Sequence, residues 1–485
     1  MTNLDDIIAS LATKGSKAAL KSADSIVLPN AEEGDTKESI LESSSTSQVE
    51  PSLDVPQENQ LILTEEFKEA FQLIDSKAPF VFITGRAGTG KSTFTQLLKS
   101  RLKSYAVVAP TGVAALNIGG QTIHSFFRIP PGPIDFSKIE RVKNRRAYQA
   151  LEVVIIDEIS MVRADLLDAI DIMLRRNAAK PGQPFGGVQI IAVGDLFQLP
   201  PIVATAEEKT FIEGAYQSPF FFSAHCLQEI TLEVRHFTRV FRQREADFIE
   251  MLNCIREGRE LSKTLALLEE RVSVINTLNF DGIVLSGDNQ RAAMINQQRL
   301  TQIKSASRSF LGKISGDFRV DQNRLPAPLE LTLKVGSQVM FVKNDSERKW
   351  VNGTLGTVKE IGTDYVNVEI NEALEGRLVQ VKAQQWENLK YVFDLEENVV
   401  KPEKIGSYEQ LPLMLAWAVT IHKSQGKSFD RVHIDLSRGA FAEGQVYVAL
   451  SRCRTLAGVT LEKKIIEEDI HLNEAVVQFC RDWGC

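Results

Sequence analysis

Residues 80–92 read FVFITGRAGTGKS. A run of high strand propensity meets a glycine-rich turn, and the turn opens the helical stretch KSTFTQLLKSRLK. Few folds use that order. The glycines let backbone N–H groups approach a phosphate, and the helix N-terminus adds partial positive charge. The pattern G-x-x-x-x-G-K-[ST] marks Gly85, Ala87, Gly88, Thr89, Gly90, Lys91, Ser92 and Thr93 as candidate phosphate-loop residues. Lys91 is expected to reach the β- and γ-phosphates of ATP, and Ser92 to ligate Mg²⁺.

Short apolar runs recur at 105–110, 152–157 and 188–195, separated by helical stretches such as LLDAIDIMLRR. That alternation predicts an α/β fold: a parallel sheet covered by helices, with ligands at the carboxyl ends of its strands. The conspicuous polar residues sit at those ends. Asp157 and Glu158 close VVIIDE; Asp157 can hold a magnesium ion's water shell, and Glu158 can position or deprotonate the attacking water. Gln198, in GDLFQLPP, is a candidate for orienting that water or sensing the γ-phosphate. A second α/β block opens near residue 230, with strand candidates at 282–286 and 431–436. It carries VFRQ (240–243) and YVALSRCR (447–454). Arginines there, facing ATP held by the first block, can neutralise transition-state charge.

At 330–405 the texture changes to alternating strands broken by glycine and Asn-Gly turns, which predicts a small antiparallel barrel inserted in the second block. Residues 1–58 contain no aromatic residue and carry four lysines against eleven carboxylates, a balance of −7 that equals the whole chain's. Such a segment cannot bury enough apolar surface to fold, so an acidic, disordered tail is expected. Within it Leu4, Ile7, Ile8 and Leu11 share one helical face, a candidate docking stripe for a protein partner. The rest of the chain is neutral, which still permits a nucleic-acid partner because only a local basic track is needed. APTGVAALNIGGQTIHSFF (109–127) offers the Thr111 hydroxyl for phosphates, with His124 and Phe126 for bases. SKIERVKNRRAYQ (137–149) is locally basic, and the turn at 417–430 adds His422, Lys423, Ser424 and Lys427.

Five scattered cysteines show no metal-ligand spacing and suit a reducing cytosol. No apolar run approaches the ~20 residues of a membrane span. The acidic start MTNLDD lacks the basic region of a targeting signal. The expected location is the cytoplasm of a bacterium or phage host, at the nucleoid, or the nucleus or mitochondrion of a eukaryote.

Together these segments resemble the PIF (petite integration frequency) helicases, in the RecD-like, 5′-to-3′ branch of superfamily one. The resemblance covers about residues 60–475 and rests on GRAGTGKS, APTGVAALNIGGQTIHSFF, IIDEISM, GDLFQLPP, FRQ, IHKSQG and VALSRC. The stretch at 165–195 looks like the signature that separates these enzymes from RecD relatives. It implies two RecA-like domains, 59–230 and 231–329 with 406–485. It also implies a wedge element at about 125–150 and an SH3-like barrel at 330–405. The implied activity is ATP- and Mg²⁺-dependent DNA unwinding by a monomeric motor on single-stranded and 5′-tailed duplex DNA. G-quadruplexes and RNA–DNA hybrids are further candidate substrates, in replication, repair or telomere maintenance. The resemblance assigns Arg242 and Arg452 to the γ-phosphate, Gly426 to the nucleotide site, and Thr111, His124, Thr420, His422 and Ser424 to motifs lining single-stranded DNA. One departure stands out: the adenine-reading glutamine expected near position 67 is replaced by Phe67, with Gln60 seven residues upstream. Two other classes compete. One is a DNA-stimulated switch ATPase that remodels protein–DNA complexes; the other is a RecD-like motor subunit of a nuclease complex.

Overall fold

The computed structural model describes residues 63–485 except 244, 319–324, 348, 371–375, 438 and 441. The acidic segment 1–58, its apolar stripe and Gln60 lie outside the described residues. The apolar runs form one parallel sheet from β1 (Phe80–Gly85), β2 (Tyr105–Ala109), β3 (Gln121–Thr122), β4 (Val153–Asp157), β5 (Gln189–Gly194) and β6 (Leu232–Phe237). Its order is β3-β2-β4-β5-β1-β6. Every residue of β1 is buried, which is why the run is apolar throughout instead of alternating. Val81 and Ile83 pack one way, against Phe67, Phe71 and Phe94 of helices Glu65–Asp75 and Lys91–Arg101. Phe80 and Phe82 pack the other way, in the core that holds Leu167, Ile170 and Leu174 of helix Ala164–Asn177. Because β4, β5 and β1 are adjacent, the sheet brings Asp157, Asp195 and the phosphate loop to one edge.

β6 corrects the expected division. It pairs in parallel with β1, Phe80 opposite Leu232 and Gly85 opposite Phe237. The first sheet therefore extends to Phe237, and the second α/β block opens after it rather than near 230. That block has its own parallel sheet, in the order Ala418–Thr420, Ile283–Ser286, Val432–Asp435, Val459–Leu461.

Between the second sheet's strands Ile283–Ser286 and Ala418–Thr420 the chain forms antiparallel strands, from Ser307 to Leu415, so they start before 330 and continue beyond 405. A five-stranded sheet runs Arg377–Lys382, Tyr365–Ile370, Leu355–Ile361, Gln338–Phe341, Leu413–Leu415. It has a separate core that includes Val339, Phe341, Val358, Val366 and Val368. A two-stranded and a three-stranded sheet complete the insert, and no closed barrel is found among the described residues. The hairpin Gln384–Asp394 and Val399–Gln410 packs onto the first lobe. There the Tyr391 hydroxyl accepts the Val107 N–H at 3.0 Å, and the Tyr391 N–H donates to Gln121 at 3.2 Å. Removing the hydroxyl in Tyr391→Phe leaves a buried N–H without its partner, a cost of about 1–3 kcal/mol. Thermal melting of that variant is expected to fall by several degrees; an unchanged midpoint would show that the hairpin is not fastened there.

Candidate active site

The phosphate loop is built by three glycines in left-handed or extended conformations, at Gly85, Gly88 and Gly90. Gly88, at φ +86°, is also a point of close approach: a Cβ there would lie 2.5 Å from the Cβ of Arg242. Beside it, the Phe241 N–H donates to the Gly88 carbonyl at 2.9 Å. The FRQ segment of the second block thus rests directly on the loop. The Lys91 amine folds back onto the loop carbonyls of Gly85 and Arg86, at 2.6 and 2.9 Å. Burial lowers its pKa, while Asp195 and Glu158 oppose the shift. Ser92 and Thr93 are exposed at the start of the helix, whereas Ala87 and Thr89 are buried in the loop.

Asp157 ends β4, and Glu158 follows in a left-handed conformation at φ +52°. Burial, followed by the neighbouring Glu158, pushes the Asp157 carboxyl up to about 7. Burial raises Glu158 as well, against the pull of Lys91 and Arg452. Two carboxyls held away from their charged forms, both acted on by Lys91, would be returned to those forms by a divalent cation's charge.

The second block supplies the opposite charge. Arg452 is 1% exposed, and its partners are neutral: the Val448 carbonyl at 2.8 Å, the Ser451 hydroxyl at 2.7 Å and the Ser424 carbonyl at 3.4 Å. Arg242 likewise donates to the carbonyls of Gly426, at 3.2 Å, and Ser451, at 3.5 Å. Burial pulls Arg452 down to about 9, and the nearby Arg242 adds to the shift. Burial and then Arg454 bring Arg242 to about 10, and burial with Arg452 and Lys423 brings Lys427 to about 8. Burying a cation without a counter-ion is costly, and this cluster is arranged to receive an anion.

Gln198 does not face open solvent. Its amide donates to Asp195 at 3.0 Å and accepts from Gln425 at 3.3 Å. Gly426 is exposed and meets the site through its carbonyl, on Arg242. Phe67 is a core residue, packed on Phe94 and Phe237 at 5.3 and 4.7 Å.

The candidate DNA residues separate into two groups. Thr111 caps helix Gly112–Ile118, accepting the Ala114 N–H at 3.2 Å, and stays half-buried. His124 makes a 3.0 Å contact from Nδ1 to the Ile129 carbonyl, and burial lowers its pKa. Phe126 is corrected: it is buried among Phe127, Tyr148 and Tyr391, so its ring packs the core and offers no platform to a base. Ser424 is also corrected. It is fully buried, and its hydroxyl donates to Ile421 at 2.6 Å. Thr420 is buried, accepting from the Lys423 N–H at 3.3 Å, which leaves His422 and Lys423 as the exposed side chains at the start of this turn. The insert joins this region, since Asn352 contacts Asn117 at 3.4 Å and Gly353 abuts Lys427.

Three residues escaped the sequence reading: Asp195, Arg256 and Tyr447. Asp195 and Tyr447 lie inside quoted motifs but are masked there by more familiar neighbours. Arg256 lies in no motif; its signal is that it extends the apolar stripe Phe248, Met251, Leu252, Ile255 of helix Ala246–Glu257. Gly444, at φ +68°, brings the helix Gln445–Leu450 onto the Gln198 loop, where a Cβ would lie 2.3 Å from the Phe197 carbonyl. Gly444→Ala is expected to cost about 1–3 kcal/mol from the left-handed backbone alone, and more from that clash. Calorimetry should show a lowered transition, and an unchanged transition would mean the contact can relax.

A phosphate loop and an acidic strand end in one parallel-sheet lobe, met by a buried and a half-buried arginine from a second, define an α/β P-loop nucleotide hydrolase. The model of the PIF1-like helicase family matches residues 62–265. The ATP-dependent DNA helicase Pif1 of Bdellovibrio bacteriovorus is 34% identical over 416 residues, covering 83% of this chain and 88% of that protein. The chain belongs to the PIF1-like helicases. It spans 61% of the length of the Xenopus laevis relative, ATP-dependent DNA helicase PIF1, to which it is 34% identical over 82% of its own length. Pif1 from Bacteroides sp in complex with ADP-AlF4 superimposes with a TM-score of 0.80 at 37% identity, covering 88% of this chain and 98% of that one. Bacteroides Pif1 bound to ssDNA gives 0.62 at 38% identity over the same shares.

Proposed function

We propose that this chain is an ATP-dependent DNA helicase that moves 5′ to 3′ on single-stranded DNA and separates duplex ahead of it. The observation that carries the reading is the pair Arg242 and Arg452: Arg452 buried and Arg242 half-buried, both held by neutral partners, with Arg242 set against the phosphate loop of the other lobe and Arg452 acting on Glu158. In this reading both lobes are RecA-like, and the antiparallel insert around 330–405 is an SH3-like element. The relatives named for ATP-dependent unwinding, and the neighbours holding ADP-AlF4 and ssDNA, support the choice of ATP and DNA.

The chemistry follows from the residues. Loop N–H groups and Lys91 bind the phosphates, with Lys91 exchanging its loop carbonyls for phosphate oxygens. Ser92 and Asp157 would hold Mg²⁺, which when bound offsets phosphate charge. Glu158, made more basic by burial against the pull of Lys91 and Arg452, orients and deprotonates the attacking water. Arg242 and Arg452 stabilise the charge that develops on the transferred group. They ride on the second lobe, so a competent site requires the lobes to be closed, and loss of the γ-phosphate removes the anion that holds them together. The exposed His422 and Lys423, the helix capped by Thr111, and the Asn352 turn are the proposed DNA track. Monomeric action and a partner for residues 1–58 belong to the same reading.

Streptavidin displacement from a biotinylated oligonucleotide tests it. ATP-dependent release from the 3′ end, and not from the 5′ end, is expected of a motor moving 5′ to 3′. A switch ATPase would hydrolyse ATP without displacing streptavidin from either end, and displacement from the 5′ end would reverse the polarity.

A further inference from the structure

Tyr447 occupies an unusual position for a side chain outside the phosphate loop. It is 3% exposed, and its hydroxyl accepts the Ala87 N–H of the loop at 3.0 Å. The same hydroxyl donates to Asp195 Oδ2 at 3.2 Å. Asp195 is itself 1% exposed, and it also accepts from Gln198 at 3.0 Å and from the Phe197 N–H at 3.3 Å. Its charge is balanced by Arg256, equally buried, at 3.4 Å, with the guanidinium over the Phe197 ring at 4.2 Å. Burial alone would raise the Asp195 carboxyl; Arg256 and Lys91, with the Gln198 bond, hold it below its usual range. Gln198 in turn accepts from Gln425 at 3.3 Å, in the turn that also presents His422 and Lys423.

The polar groups form one continuous path: Ala87, Tyr447, Asp195, Gln198, Gln425. It crosses three times between the lobes and joins the phosphate loop to the proposed DNA turn. Each member is part-buried or buried, so breaking a link strands a polar group away from water. The phenol alone can make the first connection, because the loop N–H needs an acceptor and Asp195 needs a donor. We infer that Tyr447 is a positioning residue that couples occupancy of the 420–427 turn to the geometry of the phosphate loop, through Asp195 held charged by Arg256. This rests on the reading above, in which Lys91, Glu158 and the two arginines hydrolyse ATP. It adds the means by which DNA accelerates them.

The test is Tyr447→Phe in the full chain, which keeps the ring and removes the hydroxyl. Steady-state hydrolysis is measured with and without oligo-dT, with ssDNA affinity and melting alongside. The expected result is a fall of at least about tenfold in DNA-stimulated kcat, equivalent to about 1.4 kcal/mol, with KM for ATP and ssDNA affinity within about twofold. A lowered melting temperature with wild-type stimulation would show a packing role only, and a raised KM at unchanged kcat would show simple support of the nucleotide pocket. Either would overturn the inference. Gln425→Ala completes a double-mutant cycle: on one path the double variant should be no slower than the slower single variant, whereas multiplied losses would separate the two residues. If Tyr447→Phe does not fold, 3,5-difluorotyrosine at 447 keeps the shape but makes the hydroxyl a stronger donor and weaker acceptor; an unaltered stimulation ratio would then refute the relay. Absence of DNA-stimulated hydrolysis in the wild-type chain would instead count against the catalytic reading beneath it, and so against the relay too.

Discussion

Arg452→Ala will bind ATP with near-normal affinity and hydrolyse it about 10³–10⁵ times more slowly, the range that arginine fingers contribute elsewhere. The reason is geometric as well as electrostatic. Arg452 is wholly buried, its charge acts on Glu158, and its hydrogen bonds go to two carbonyls and a hydroxyl. Its charge therefore has no carboxylate ion pair among the described residues and is available to an anion. Arg452→Lys should recover little, because a compact ammonium cannot reproduce a planar fork that keeps its backbone contacts while reaching a phosphate. Arg242→Ala should behave similarly, with a further loss of closure because its side chain ties the FRQ segment to Gly426 and Ser451. Nucleotide affinity by fluorescent analogue and single-turnover hydrolysis separate the two effects. A loss below tenfold for both variants would mean that neither arginine meets the transferred phosphate.

Glu158→Gln will retain ATP and DNA binding while turnover falls about 10²–10⁴-fold, the usual contribution of a general base. The substitution is nearly isosteric, and Glu158 sits in a left-handed conformation, φ +52°, that the amide also tolerates. Removing its charge also relieves the repulsion that raises Asp157, so Asp157 should ionise more readily. The variant should therefore accumulate as a complex with ATP and DNA. Substantial residual turnover would assign the water-activating role elsewhere, with Gln198 the nearest alternative.

The nucleotide half of this site could be read from the sequence because its chemistry is local. A phosphate loop needs consecutive residues, and an acidic strand end needs an apolar run before it; both periodicities survive in one dimension. The strands at 80–85, 153–157 and 189–194 were legible for the same reason. β6 was not, because LEVRHF is half-exposed at the sheet edge and lacks a buried strand's continuous apolar run. The insert was legible as antiparallel strands, but not how those strands divide among sheets, since pairing depends on contacts such as Leu413–Leu415 against Gln338–Phe341, some 75 residues apart. Phe126 and Ser424 show the opposite failure. An aromatic and a hydroxyl in a suggestive motif were read as DNA contacts, yet a packed core and a local carbonyl had already claimed them. The Tyr447, Asp195 and Arg256 cluster draws on three distant segments, so no window of sequence contains it.

Strand displacement on matched tailed duplexes tests the central claim most directly. A chain whose second-lobe arginines complete the first lobe's ATP site, and whose 420–427 turn meets DNA, should release the short strand from a 5′-tailed duplex in the presence of ATP and Mg²⁺. A 3′-tailed duplex should stay intact, and Arg452→Ala should abolish release from both. Hydrolysis stimulated by DNA without release of the strand, or equal release from both tails, would contradict it.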